Sequence, residues 1–340
     1  MDLTLLTSVV IALVLTLVDA RRGHALDSVA PPLFVFGSSY ADTGNLSPTD
    51  KTQPYPWAKP YGETWPGAPA GRYSDGHVLT DIVVDILNMS LPTPFRSVKR
   101  NGSSKEPHGV NFATSGSTIL TSSSMPSVSS QIDAFQSNIM SKYTPQQLAS
   151  AIVLYCTSGD DYFFYLATSS SSLSSIYPLT VNVGKQISMD LVKLYGLGLR
   201  KFFVAYLPPS GCLPVASSAN RYKGCNDTWT RSIAVPHNER IFKNVLGLRH
   251  YFKNGTILLI DLFSAFSAAQ SEIGTGGLQP CCMGTIVGMR CGSVSRARAL
   301  YSLCPSPNTQ FYWDDSIHPT DAGWKLVGNQ LQSSLNAIKK

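Results

Sequence analysis

Five short apolar runs, at residues 33–36, 110–113, 152–155, 202–207 and 257–261, constrain this chain more than any other feature. Each is nearly uniform in its apolar character. A strand reads that way when helices cover both faces of a parallel sheet, whereas a half-exposed strand alternates apolar and polar residues. Between the runs, residues 79–87, about 183–197 (closed by Gly196 and Gly198) and 239–252 repeat apolar residues at helical spacing. The order strand, helix, strand argues for a three-layer α/β/α sandwich around a central, mostly parallel, five-stranded sheet. In a doubly wound sheet the site lies at the carboxyl ends of the strands.

The chain has 340 residues, of which 43% are hydrophobic and 14% charged, enough apolar material for one large folded domain. No internal repeat or linker divides it. The formal net charge of +6 is modest, and there is no dense Lys/Arg stripe, zinc-finger spacing or RNA-binding aromatic pattern. Nucleic acid is therefore not an expected partner. The apolar stretch from Leu3 to Val18 is shorter than a bilayer span and leads to small residues at Ala20 and Ala25, so residues 1–25 read as a secretory signal and 26–340 as the mature domain. Asp2 stands where such signals usually carry a basic residue. No later segment is long enough to cross a membrane.

The cysteines suit an oxidising compartment. Cys212 and Cys225 are expected to pair across a loop, and Cys281, Cys282, Cys291 and Cys304 form a second group able to supply further disulfides. No histidine lies among them and the spacing is poor for zinc, so neither metal nor organic cofactor is expected. Cys156 sits in an apolar run and reads as a buried thiol. Asn88, Asn101, Asn226 and Asn254 begin glycosylation sequons. Asn45 begins another, but with Pro48 directly after Ser47 it is expected to be structural and unmodified.

Two distant segments carry chemistry. Ser39 follows the first apolar run in a Gly37-Ser38-Ser39 turn, where a hydroxyl is exposed and turn amides can face a developing oxyanion. Near the other end, Asp315 precedes His318 by three residues, an offset that in a tight loop lets the carboxylate reach one imidazole nitrogen and leaves the other to take a proton from Ser39. A hydroxyl, an imidazole and an orienting acid are the parts of serine hydrolysis, in whatever chain order they occur. His237, beside Asn238, reads instead as tying a helix start to a neighbouring loop. His77, His108 and His250 have no acidic or cysteine partner at useful spacing.

From about Pro32 to near the C-terminus the chain resembles the plant GDSL esterase/lipase family of the SGNH hydrolase superfamily. Phe36-Gly37-Ser38-Ser39-Tyr40 through Asn45 is similar to the family's first block. Gly109-Val110-Asn111-Phe112-Ala113-Thr114-Ser115-Gly116 is similar to the second, Ser158-Gly159-Asp160-Asp161-Tyr162 to the third, and Asp315-Ser316-Ile317-His318-Pro319 to the last. Further stretches agree in order: Gly71-Arg72-Tyr73-Ser74-Asp75-Gly76, 207–214 and His237-Asn238. The resemblance implies an SGNH, flavodoxin-like sandwich, a Ser39/Asp315/His318 triad, and an oxyanion hole from Ser39, Gly116 and the position of Asp160. Arg72 and Asp75 are expected to form a structural ion pair or turn lock.

Two departures bear on activity. The family has Asp where this chain has Ser38, and Asn where it has Asp160. An Asn amide donates to an oxyanion, whereas an ionised carboxylate only accepts and repels the charge. Either the hole is damaged, or Ser38 and Asp160 face one pocket and the exchange is compensatory, with Asp160 held neutral. The leading expectation is a secreted serine ester hydrolase for short acyl esters, including O-acetyl groups of cell-wall polysaccharide, acting as a monomer outside the cell or in the Golgi lumen. An acyltransferase and a disabled, carbohydrate- or lipid-binding relative are the rivals. The loop 48–69, with Tyr55, Trp57, Tyr61 and Trp65, reads chiefly as packing onto the domain.

Overall fold

The computed structural model describes residues 30–49, 56–98, 106–120, 124–168, 172–273 and 277–337. The signal segment, Asn101 and Tyr55 lie outside these. In chain order the main elements are β1 (Leu33–Gly37), α1 (Leu79–Leu87), β2 (Thr93–Pro94), β3 (Gly109–Asn111), α2 (Val128–Asn138), β4 (Ile152–Cys156) and α3 (Asp160–Leu166). They continue with α4 (Tyr177–Gly196), β5 (Lys201–Ala205), α5 (Val235–Tyr251), β6 (Thr256–Ile260), α6 (Leu262–Ile273) and α7 (Asp321–Asn336).

All five apolar runs pair in one parallel sheet, joined by a sixth strand at one edge, in the order β2-β3-β1-β4-β5-β6. The extra strand is two residues long and ends in Pro94, a residue a sheet edge tolerates because it lacks the ladder donor. Two residues make no pattern, which is why the expected five became six. The second run is strand only to Asn111, although the amides of Phe112 and Thr114 still donate to the carbonyls of Val35 and Gly37.

Alternate residues of each strand enter opposite cores. Phe34, Phe36, Val110, Val153, Tyr155 and Phe202 pack with α2, α4 and α5 on one face. Leu33, Val35, Leu154, Cys156 and Phe203 pack with α1, α6 and α7 on the other. Both faces are dry, which accounts for the unbroken apolar runs. Helix α4 starts at Tyr177, ahead of the expected 183, with Pro178 in its first turn, where the missing N–H costs nothing. Helix α2 begins at the end of a Ser-rich stretch. Ser127 caps it by accepting from the Ser130 amide, and Val128, Ile132 and Phe135 are buried.

The disulfides are Cys212–Cys225, Cys281–Cys304 and Cys282–Cys291, with Cys156 a buried thiol. Asn45 donates to the carbonyls of Asn111 and Ala113 and accepts from Arg96, a structural use of its amide. Arg72 and Asp75 do not pair. Arg72 makes a two-pronged contact with Asp81 at 2.9 Å on each prong, while Asp75 accepts from Thr64 and from the Asp321 amide at 2.7 Å. Asp81 sits in the first turn of α1 and also accepts from the Val78 amide, so the arginine meets a carboxylate already fixed in place. In the 48–69 loop Trp57 donates to the Leu46 carbonyl and Trp65 stacks on His77, so both pack inward.

Candidate active site

β1 is the point from which the chain leaves first toward β3 and then toward β4, so the loops after these three strands open into one crevice. The end of β1 approaches β4 so closely that a Cβ on Gly37, whose φ is +146°, would stand 1.6 Å from the Cys156 carbonyl oxygen. Gln131 holds this turn from the other side, accepting from the Gly37 amide and donating to the Gly37 carbonyl. The β1 and β3 loops are tied by Asp42, which accepts from the amides of Gly44 and Asn45 and from the amide and hydroxyl of Ser115. Asn111 donates back to Ala41 and Thr43. Gly116 follows with φ +79°, a conformation that favours glycine.

The crevice holds a cavity of about 390 Å³ lined by Ser39, Gly116, Asp160 and His318 among others. His318 Nε2 lies 2.9 Å from Ser39 Oγ. Its Nδ1 lies 2.6 Å from Oδ2 of Asp314, not of Asp315. The expectation for Asp315 is thus corrected by one residue. The backbone is extended through Asp314, which is bridged to Cys282, so neighbouring side chains point to opposite sides. Asp314 turns inward, accepting from the Ser316 amide and hydroxyl, the His318 amide and the Tyr61 hydroxyl. Asp315 turns toward the disulfide-tied loop and accepts from the amides of Gly284 and Cys291.

Their electrostatics follow. Burial pushes the Asp314 carboxyl up, but the His318 charge and the hydrogen bonds from His318 and Ser316 outweigh it and hold it below the usual carboxylate range. Burial and the neighbouring charge of Asp314 raise Asp315. An ionised Asp314 fixes the tautomer: Nδ1–H donates to it, and Nε2 accepts from Ser39.

A hydroxyl ladder completes the arrangement. Ser38 donates to Ser158 at 2.9 Å and accepts from the Ser158 amide, while the Tyr40 amide donates to the same Ser158 Oγ at 3.0 Å. With two donors already on its oxygen, the Ser158 hydroxyl turns its own proton toward Ser39 Oγ, 3.1 Å away. That leaves the Ser39 proton to point at His318. The Tyr73 ring stacks on His318 with centroids 4.6 Å apart and planes 20° from parallel, and the Tyr40 hydroxyl donates to the Ile317 carbonyl. Neither Ser158 nor Tyr73 was assigned a role from sequence. Tyr73 lies in the Gly71–Gly76 segment, which reads as non-chemical until the fold brings it against the imidazole.

Asp160 lines the same cavity from the start of α3, with Ser38 close by. His237 is elsewhere, buried, with Nδ1 2.8 Å from the Tyr162 hydroxyl. Asn238 is the tie to the loop after β5, accepting from and donating to Leu207. Among the described residues no group of three His, Cys, Asp or Glu side chains is placed to hold a metal.

The family model for GDSL-like lipase/acylhydrolases matches residues 33–331. The chain belongs to this GDSL family. Among its relatives, the Arabidopsis thaliana GDSL esterase/lipase At5g03610 is 34% identical, with 94% of this chain and 90% of the relative covered. GDSL esterase/lipase At3g09930 of the same plant is 32% identical over 90% of this chain and 88% of its own length. GDSL esterase/lipase At5g03600 is 33% identical over 90% and 94%. The six-stranded parallel sheet with helices on both faces is the three-layer sandwich expected of a GDSL enzyme, and membership places the chain among carboxylic ester hydrolases.

Proposed function

We propose that this GDSL protein is a secreted serine hydrolase of short acyl esters, in which Ser39 is the nucleophile, His318 the base and Asp314 the orienting acid. The observation that carries the reading is the continuous hydrogen-bonded line from Asp314 through His318 to Ser39 on the cavity wall. Ser39 Oγ attacks the ester carbonyl and its proton passes to His318 Nε2. The amides of Ser39 and Gly116 receive the oxyanion, and the leaving alcohol takes the proton from His318. Water then repeats the sequence on the acyl-enzyme. Phe163, Trp229, Val215 and Ile317 give the cavity apolar lining that suits the acyl group, and Arg290 and Asp315 add charged groups that suit a polar alcohol such as a sugar.

The three disulfides support a secretory route, with residues 1–25 as the signal and 26–340 as the mature domain. Asn88 and Asn254 are exposed sequons; Asn226 is half-buried and caps the turn at Trp229. No helix among the described residues is long and apolar enough to cross a membrane. A fluorophosphonate probe tests the reading: labelling of the folded protein that vanishes in Ser39→Ala is expected. Absence of labelling would favour a non-catalytic binder. A panel of p-nitrophenyl esters from acetate to palmitate, run beside acetylated xylan, tests the acyl preference. Adding candidate alcohols separates hydrolysis from acyl transfer.

A further inference from the structure

Asp160 lines the cavity with the nucleophile and Gly116, and its ordinary charge opposes the chemistry. A carboxylate facing a developing oxyanion repels it, and the low dielectric of a closed crevice magnifies the repulsion. Yet the side chain is part-exposed on the wall it shares with Ser39, Gly116 and His318, and among the described residues its Oδ2 has neither solvent nor a hydrogen-bond partner. A sealed, unpartnered carboxylate oxygen is costly, whereas a carboxylic acid is neutral, relieves that oxygen of its charge and has a proton to donate.

We propose that Asp160 works as a neutral carboxylic acid whose O–H donates the third hydrogen bond to the oxyanion, making this an enzyme whose activity is confined to acidic pH. The inference rests on the hydrolase reading above and adds a catalytic residue and a regulatory property to it. As Ser39 Oγ bonds to the carbonyl carbon, the carbonyl π pair moves onto oxygen and the Ser39 proton moves to His318. Asp160 keeps its proton throughout, sharing it with the oxyanion until the C–O bond to the leaving alcohol breaks and the carbonyl re-forms.

The surroundings agree. Burial raises the Asp160 carboxyl to about 6; the Ser38 hydroxyl and the His318 charge pull it down and Asp161 pushes it up. Tyr40, Cys156 and Tyr73 face it from the β1 loop, the end of β4 and the Gly71–Gly76 segment, all three with raised pKa values and therefore uncharged. Arg290, Asp314 and Asp315 share its cavity. Ser38, which donates to Ser158, stands beside Asp160 at a place where a second carboxylate would leave two acids competing for one proton.

Asp160 must be neutral to donate, so kcat/KM falls on the alkaline side as it ionises. The test is kcat/KM for p-nitrophenyl acetate, by pH-stat, from about pH 5 to 9, on the full secreted chain and on Asp160→Asn, with thermal melts to show both folded. The wild type is expected to fall roughly tenfold per pH unit on the alkaline side, while Asp160→Asn, a donor at every pH, keeps a plateau. The ratio of variant to wild type then rises at least ~100-fold across the range. Asp160→Ala is expected to lose ~100- to 1,000-fold at the acidic optimum. Parallel profiles for wild type and Asp160→Asn, with both still labelled at Ser39 by a fluorophosphonate, would overturn the Asp160 role and leave the hydrolase standing. A folded Asp160→Asn that neither labels nor hydrolyses, alongside an equally inert wild type, would overturn both.

Discussion

Asp314 and Asp315 differ by one position and have opposite surroundings. Asp314 holds an imidazole nitrogen at 2.6 Å, and Asp315 faces two loop amides on the far side of the chain. Asp314→Asn replaces an acceptor with an amide that favours the wrong tautomer, and kcat is expected to fall by ~10⁴-fold. Asp315→Asn is expected to stay within about tenfold of wild type, since it removes only acceptors for two part-buried loop amides worth about 1 kcal/mol each. Steady-state kinetics on the pair decides it, and equal losses would contradict the geometry. Ser158→Ala removes the donor that turns the Ser39 proton toward His318. Kcat is expected to drop about three- to tenfold with KM unchanged, in keeping with one neutral hydrogen bond; a change confined to KM would count against the ladder. Sequence alone could name Ser39 and His318 because a hydroxyl after a buried strand and a histidine after an acid are local patterns. It could not choose between adjacent aspartates, since that choice depends on which side of an extended segment faces the cavity.

At the scale of elements, the site depends on the close approach of the turn after β1 to β4. Gly37→Ala places a methyl against the Cys156 carbonyl in a backbone conformation L side chains rarely adopt. The expected result is a loss of at least ~3 kcal/mol in chemical denaturation, or no folded protein at all. A variant with wild-type stability would show that the strand pair relaxes more readily than its packing suggests. The strands were legible because both faces of the sheet are dry, and uniform apolar runs are what such burial selects. The two-residue edge strand and helix α2 were not. The first is too short to carry a period, and the second hides its apolar stripe of Val128, Ile132 and Phe135 within a serine-rich composition. Arg72 was expected to stay within its own turn and instead crosses to Asp81, because the carboxylate that α1 fixes in its first turn is the better-oriented partner.

For the molecule as a whole, acid should act in two opposed ways. His237 is buried and uncharged, its pKa lowered by burial from 6.5 to about 3, so between those values the unfolded chain binds a proton that the folded chain refuses. Stability from this group is therefore complete above about pH 6.5 and is lost as pH falls toward 3, by up to on the order of 5 kcal/mol. Urea unfolding at pH 7 and about pH 4.5 should show the decline, and His237→Gln should flatten it; an unchanged slope in the variant would place the acid sensitivity elsewhere. Asp160 runs the other way, since its raised pKa means the folded state holds a proton longer than the unfolded chain, and its contribution is lost as pH rises from about 4 toward 6. What the sequence by itself determined was the layered α/β plan, the Cys212–Cys225 pair, the family and the order of the chemical blocks, because burial on both faces and short local motifs are written in neighbouring residues. The partner of His318, the stacking of Tyr73 on it, the Ser38–Ser158–Ser39 ladder and the placing of Asp160 on the same cavity wall join residues up to 279 positions apart. Only the tertiary structure decided these, since side-chain direction and desolvation arise when distant loops close on one crevice.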